Sequence, residues 1–106
     1  MTKINVNEWF MLDESNRLED QVKGFIACTV EGYLNGVQFG YEPMTRQEWK
    51  DYIIENLRRE MAYGMIVNGV ERKHMKFIGN KKRDKLIDTF LDNYDGVQDY
   101  IKGEEA

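Results

Sequence analysis

Seven of the 15 basic residues in this 106-residue chain fall between Glu71 and Lys85, a stretch that holds only two of the 19 acidic ones. Arg72, Lys73, Lys76, Lys81, Lys82, Arg83 and Lys85 give that segment a net charge of +5, while the other 91 residues carry eight basic and 17 acidic side chains, a net −9. Cations gathered this closely suit a phosphate, a carboxylate or an acidic protein surface. With Asn80 read as a helix N-cap, Lys81, Lys82 and Arg83 occupy the first helical turn. Backbone N–H groups are unsatisfied there, and the helix dipole attracts an anion. Arg72, Lys73 and Lys76 extend the patch upstream, beside Phe77 as a stacking surface. The competing reading is a solvated helix start that balances an acidic protein.

Asp84, Asp88, Asp92 and Asp95 recur every three or four residues just downstream. Helical spacing puts them near one exposed face, opposite the apolar stripe. Such a row either keeps the helix soluble or presents carboxylates to a partner, and the first reading is favoured. Trp9-Phe10-Met11-Leu12 is the third candidate surface. These residues read first as a terminal segment packed across the core, with Trp9 and Phe10 as an interface in the sharper reading.

The inventory for other chemistry is short. Cys28, His74 and Ser15 are each the sole residue of their type. One His and one Cys do not make a zinc site, and no Gly-x-Ser-x-Gly elbow or phosphate loop is present. Asp92-Asn93-Tyr94-Asp95-Gly96 lacks the full ligand pattern of a calcium loop. Cys28 stands beside Ile26, Ala27 and Val30, which reads as a buried, inert thiol. We therefore expect no catalytic residue, no metal and no cofactor.

The elements that position these groups read as mainly α, with a small α+β arrangement as the variant. Thr45-Arg46-Gln47-Glu48 is a capping box opening a helix over 46–63. Trp49, Ile53, Leu57 and Met61 form its stripe, Glu55 and Arg59 pair at i,i+4, and Gly64 stops it. A helix over 17–35 is favoured by Leu18, Val22, Phe25, Ile26, Thr29, Val30 and Tyr33. The alternative makes Asn35-Gly36 a hairpin turn leading into Val37, Phe39 and Tyr41. Residues 81–101 read as a helix on Leu86, Ile87, Phe90, Leu91 and Tyr94, bent or broken at Gly96. A short hairpin or extended segment near 65–78, turning at Asn68-Gly69, carries the upstream basic residues.

At this length one domain is expected. Residues 103–106 read as a disordered tail. A lone cysteine, no apolar signal core in Met1–Asn5 and no 18-residue apolar run fit a cytoplasmic protein without a membrane segment. The expected function is a small non-enzymatic regulatory protein that acts by contact with another protein. A mobile-element accessory inhibitor of a host nucleic-acid-handling protein, in the manner of anti-defence or anti-CRISPR factors, is the concrete version. Nucleic-acid binding through 72–85 is the alternative, weakened by the overall charge of −4. A homodimer is compatible with both.

Overall fold

The computed structural model describes residues 3–12, 17–67 and 79–103. It is mainly helical with one very small sheet. A short α1 (Val6–Met11) leads to α2 (Leu18–Gly36), a single 3-10 turn over Val37–Phe39, and β1 (Met44–Thr45). The long α3 (Arg46–Val67) follows, then α4 (Asn80–Asn93), α5 (Asp95–Gln98) and β2 (Ile101–Lys102). The two strands pair in parallel, Met44 with Ile101 and Thr45 with Lys102.

The core is where the helical stripes meet. Val22, Ile26, Ala27 and Val30 of α2 face Trp49, Ile53 and Leu57 of α3, with Leu86, Ile87, Phe90 and Leu91 of α4 and Val97 of α5 completing it. Period-3.6 spacing is sufficient to bring these side chains to one side of each helix, and their burial supplies the main drive to fold. The helical reading of 17–35 is therefore the observed one. Gly32 is exposed in the middle of α2, and its cost of about 1 kcal/mol relative to alanine is outweighed by the buried stripe.

Cys28 departs from expectation: it is exposed. Two residues beyond Ile26, its side chain is rotated about 200° around the helix, away from the buried stripe. Apolar neighbours in sequence do not bury a helical residue; apolar neighbours at i±3 and i±4 do.

Three boundaries also differ. The capping box forms as expected, with the Thr45 N–H donating to Glu48 Oε1 at 3.0 Å and the Glu48 N–H to Thr45 Oγ1 at 3.2 Å. Yet α3 runs through Gly64 to Val67, because glycine inside a helix is costly without being forbidden. Met65-Ile66-Val67 is thus helical and not the first strand of a hairpin, while the rest of that expected segment, 68–78, lies outside the described residues. The N-cap of α4 is Gly79, and Asn80 is already helical. Finally, the expected 81–101 helix breaks at Tyr94, whose backbone is extended (φ −99°, ψ 113°).

That break is held by side chains. The Tyr94 ring packs on Phe90 with centroids 5.0 Å apart, and its hydroxyl hydrogen-bonds the Glu31 carboxylate of α2. Burial first, then this carboxylate, pushes the Tyr94 hydroxyl well above the ordinary phenol range. Gln98 Nε2 donates to the carbonyls of Leu91 at 2.6 Å and Tyr94 at 2.9 Å, so α5 folds back to satisfy groups that the end of α4 leaves open.

The first and last described segments are tied in, while 104–106 of the expected tail lie outside the described residues. The Ile4 N–H donates to the Asn93 carbonyl at 2.9 Å. Trp9 rests on Phe90, centroids 5.0 Å apart, with the Lys23 ammonium 5.7 Å from the Trp9 ring. At the other end the Tyr100 carbonyl accepts from the Met44 N–H and from Trp49 Nε1, each at 3.0 Å.

Two glycines make a test of backbone conformation. Gly40 has φ 103°, and Gly32 is helical with open space where a Cβ would stand. Gly40→Ala should destabilise by roughly 1–2 kcal/mol, and Gly32→Ala should stabilise by roughly 0.4–1 kcal/mol. Urea denaturation of the two variants measures both signs.

A second test uses pH. Hydrogen bonds from the Thr45 N–H and then the Thr45 side chain hold the Glu48 carboxyl below its ordinary 4.5, and Glu19 is held below the same value by the hydrogen bond and charge of Lys82. A depressed folded pKa means stability that is present above the unfolded value and lost as pH falls through the folded one. Glu48→Gln keeps an acceptor for the Thr45 N–H but has no proton to gain. Its melting temperature should lie slightly below wild type at neutral pH, where the charged carboxylate contributes, and the gap should close as pH falls below 4.5.

Candidate functional site

The basic segment is only partly in view: Arg72, Lys73 and Lys76 lie outside the described residues. Of the rest, Lys82 pairs with Glu19 of α2 at 3.0 Å and Arg83 with its neighbour Asp84 at 3.0 Å. These two first-turn cations are tied to carboxylates of the chain itself. Lys81 and Lys85 are exposed, and neither has an ion pair among the described residues.

Lys81 and Lys85 open onto a shallow groove of about 700 Å³ along α4, which Asp84, Asp88, Thr89, Asp92 and Asn93 also line. Its lining forms two i+4 ridges. Lys81, Lys85, Thr89 and Asn93 make one; Asp84, Asp88 and Asp92 make the other. The acidic ridge is partly neutralised from α3. Arg46 reaches Asp88 at 3.1 Å and Asp92 at 2.7 Å, and Lys50 reaches Asp88 at 3.2 Å. Asp95 sits apart from these three, beyond the Tyr94 break, where it pairs with Lys3 at 2.8 Å. So three of the four aspartates share a face, and that face is an α3–α4 ion network more than a bare row of carboxylates.

Trp9 and Phe10 are half-buried against the core, while Met11 beside them is 78% exposed. Among the described residues no group of three His, Cys, Asp or Glu side chains is placed to hold a metal ion. No described helix is long and apolar enough to cross a membrane.

One surface was not singled out in the sequence. The turn after α2 exposes Phe39 (81%) and Tyr41 (53%). Its signal is Phe39-Gly40-Tyr41-Glu42-Pro43, aromatic residues around a glycine where polar turn residues are usual. Arg46 and Lys50 were likewise missed as partners of the α4 aspartates, since pairs across helices leave no periodic trace in either one.

No family model, curated protein or solved structure matches this chain.

The α3–α4 network has a measurable share of stability. Arg46→Met should cost on the order of 1 kcal/mol, and the cost should shrink in high salt. In an Asp88→Asn, Asp92→Asn background the same substitution should cost much less; urea melts of the four proteins give the coupling.

Proposed function

We propose that this protein is a non-enzymatic binding module that docks on another protein through the exposed face of α4. The supporting observation is the alternation of sign on that face: Lys81 and Lys85 run beside Asp84, Asp88 and Asp92 along one groove. A protein surface offers discrete charges of both signs and can match such a pattern. A phosphate backbone offers one sign only. It would gain from Lys81 and Lys85 but meet three aspartates within the same groove, on a chain of net charge −4. Affinity for nucleic acid grows with the number of phosphates neutralised, and Lys82 and Arg83 already have carboxylates beside them. The module's effect on its partner would come from occupying that partner's surface.

Capture from a native-host extract, with and without nuclease, is the direct experiment. A stoichiometric protein that survives nuclease is expected. Capture that disappears on nuclease treatment, together with binding to DNA or RNA that falls steeply with salt, would replace this reading with nucleic-acid binding through 72–85.

A further inference from the structure

The turn between α2 and β1 holds one aromatic ring in place at the surface and projects a second close to it in sequence. Gly40, in the left-handed region, closes it with its N–H donating to the Val37 carbonyl at 3.0 Å, and the Tyr41 N–H reaches the Gly36 carbonyl at 3.3 Å. The Tyr41 ring lies directly over the Gly36 backbone, where any Cβ would collide with it. On another side the Tyr33 ring packs on Tyr41 with centroids 5.2 Å apart. Tyr33 is fixed in turn. Its hydroxyl donates to the Glu42 carbonyl at 2.6 Å, and its ring meets Trp49 at 4.9 Å and Tyr52 at 5.3 Å, both edge-on. Tyr41 is therefore ordered although half of it is in water, and Phe39 projects from a turn that is already fixed. A surface aromatic immobilised before binding, as Tyr41 is, suits an interface anchor, because little rotamer freedom is left to lose.

The charge around this platform is acidic. Glu42 and Glu48 are both within electrostatic reach of Tyr33. Glu48 is engaged by Thr45 and also feels Lys102. Glu42 is exposed and has no ion pair among the described residues. Aromatic faces carry negative potential at their centres and attract ammonium and guanidinium groups. An exposed carboxylate that follows Tyr41 in the same turn, with Phe39 three residues before it, is complementary to a side chain that is apolar along its stem and cationic at its tip.

We propose that Phe39, Tyr41 and Glu42 form a second docking site, whose occupant is a partner-protein segment presenting an arginine or lysine next to an apolar side chain. The stem and the apolar neighbour lie on the rings, and the cation meets Glu42. This site is separate from the α4 face, so either can fail without the other.

The probe is acetyl-Leu-Arg-amide, with acetyl-Leu-Glu-amide as its charge-reversed control, titrated to millimolar levels and followed by NMR of the aromatic side chains. The Arg peptide should give saturable shifts of the Phe39 and Tyr41 ring signals, and the Glu peptide should not. Phe39→Ala and Glu42→Lys should each weaken the Arg peptide by roughly tenfold. Both side chains are exposed, so the variants should keep the wild-type circular dichroism and melting temperature. Equal shifts with both peptides, no saturable shift, or an affinity unchanged in the two variants would overturn the proposal. Ring shifts that track protein concentration without peptide would also overturn it, by making a second copy of the chain the occupant.

Discussion

Trp49 is the side chain on which the remaining geometry depends. It is fully buried, and its indole N–H has one partner, the Tyr100 carbonyl. A buried indole without an acceptor would lose the worth of that hydrogen bond and keep the desolvation cost, about 1–3 kcal/mol. The C-terminal segment must therefore return to the start of α3. Once it does, Met44 donates to the same carbonyl, and the two-residue parallel pairing of β1 and β2 follows. So small a sheet has no stability of its own; it records where Trp49 holds the chain. The indole ring also meets Tyr33, and through Tyr33 the α2–β1 turn is positioned. One buried side chain thus sets both the C-terminal closure and the surface turn.

The electrostatics divide along a similar line. Among the described residues, the charges of α4 do not sort into two opposed single-sign surfaces. Lys82 goes to Glu19 on α2, Arg83 to Asp84, and Asp88 and Asp92 to Arg46 and Lys50 on α3. Each exposed pair is worth little alone. Their collective effect is to place charges of opposite sign side by side along α4, which is the pattern on which the proposed protein–protein docking rests.

Helix positions were legible because burial has a period. Val22, Ile26 and Val30, then Trp49, Ile53 and Leu57, then Ile87, Phe90 and Leu91 could be placed in the core from spacing alone. The capping box at Thr45 was legible for a similar reason, since its two hydrogen bonds lie within four residues. What escaped depends on partners remote in sequence. Tyr94 ends α4 because Glu31, 63 residues away, binds its hydroxyl. The strand at Ile101 exists because of Met44. Cys28 is exposed despite its apolar sequence neighbours because the helical angle, not adjacency, decides burial. The candidate surfaces divide in the same way: Lys81, Lys85 and the aspartates could be picked out by charge, but which of them are already paired is a property of the α2–α3–α4 packing.

Phe39 shows why the aromatic turn was not legible either. In sequence, Val37, Phe39 and Tyr41 alternate as in a half-buried strand, and alternation ordinarily means that all three point inward together. Folding separates them instead. Tyr41 returns to Gly36 and Tyr33 and stabilises the turn, while Phe39, on the 3-10 segment just before Gly40, is left outside. Removing Tyr41 would loosen the turn and the surface together, so it cannot separate a structural role from a binding one. Phe39 contributes little burial, and no fold requirement keeps an aromatic ring there. An apolar group that folding does not need, displayed on a turn that folding makes rigid, is the combination on which the proposed docking site rests.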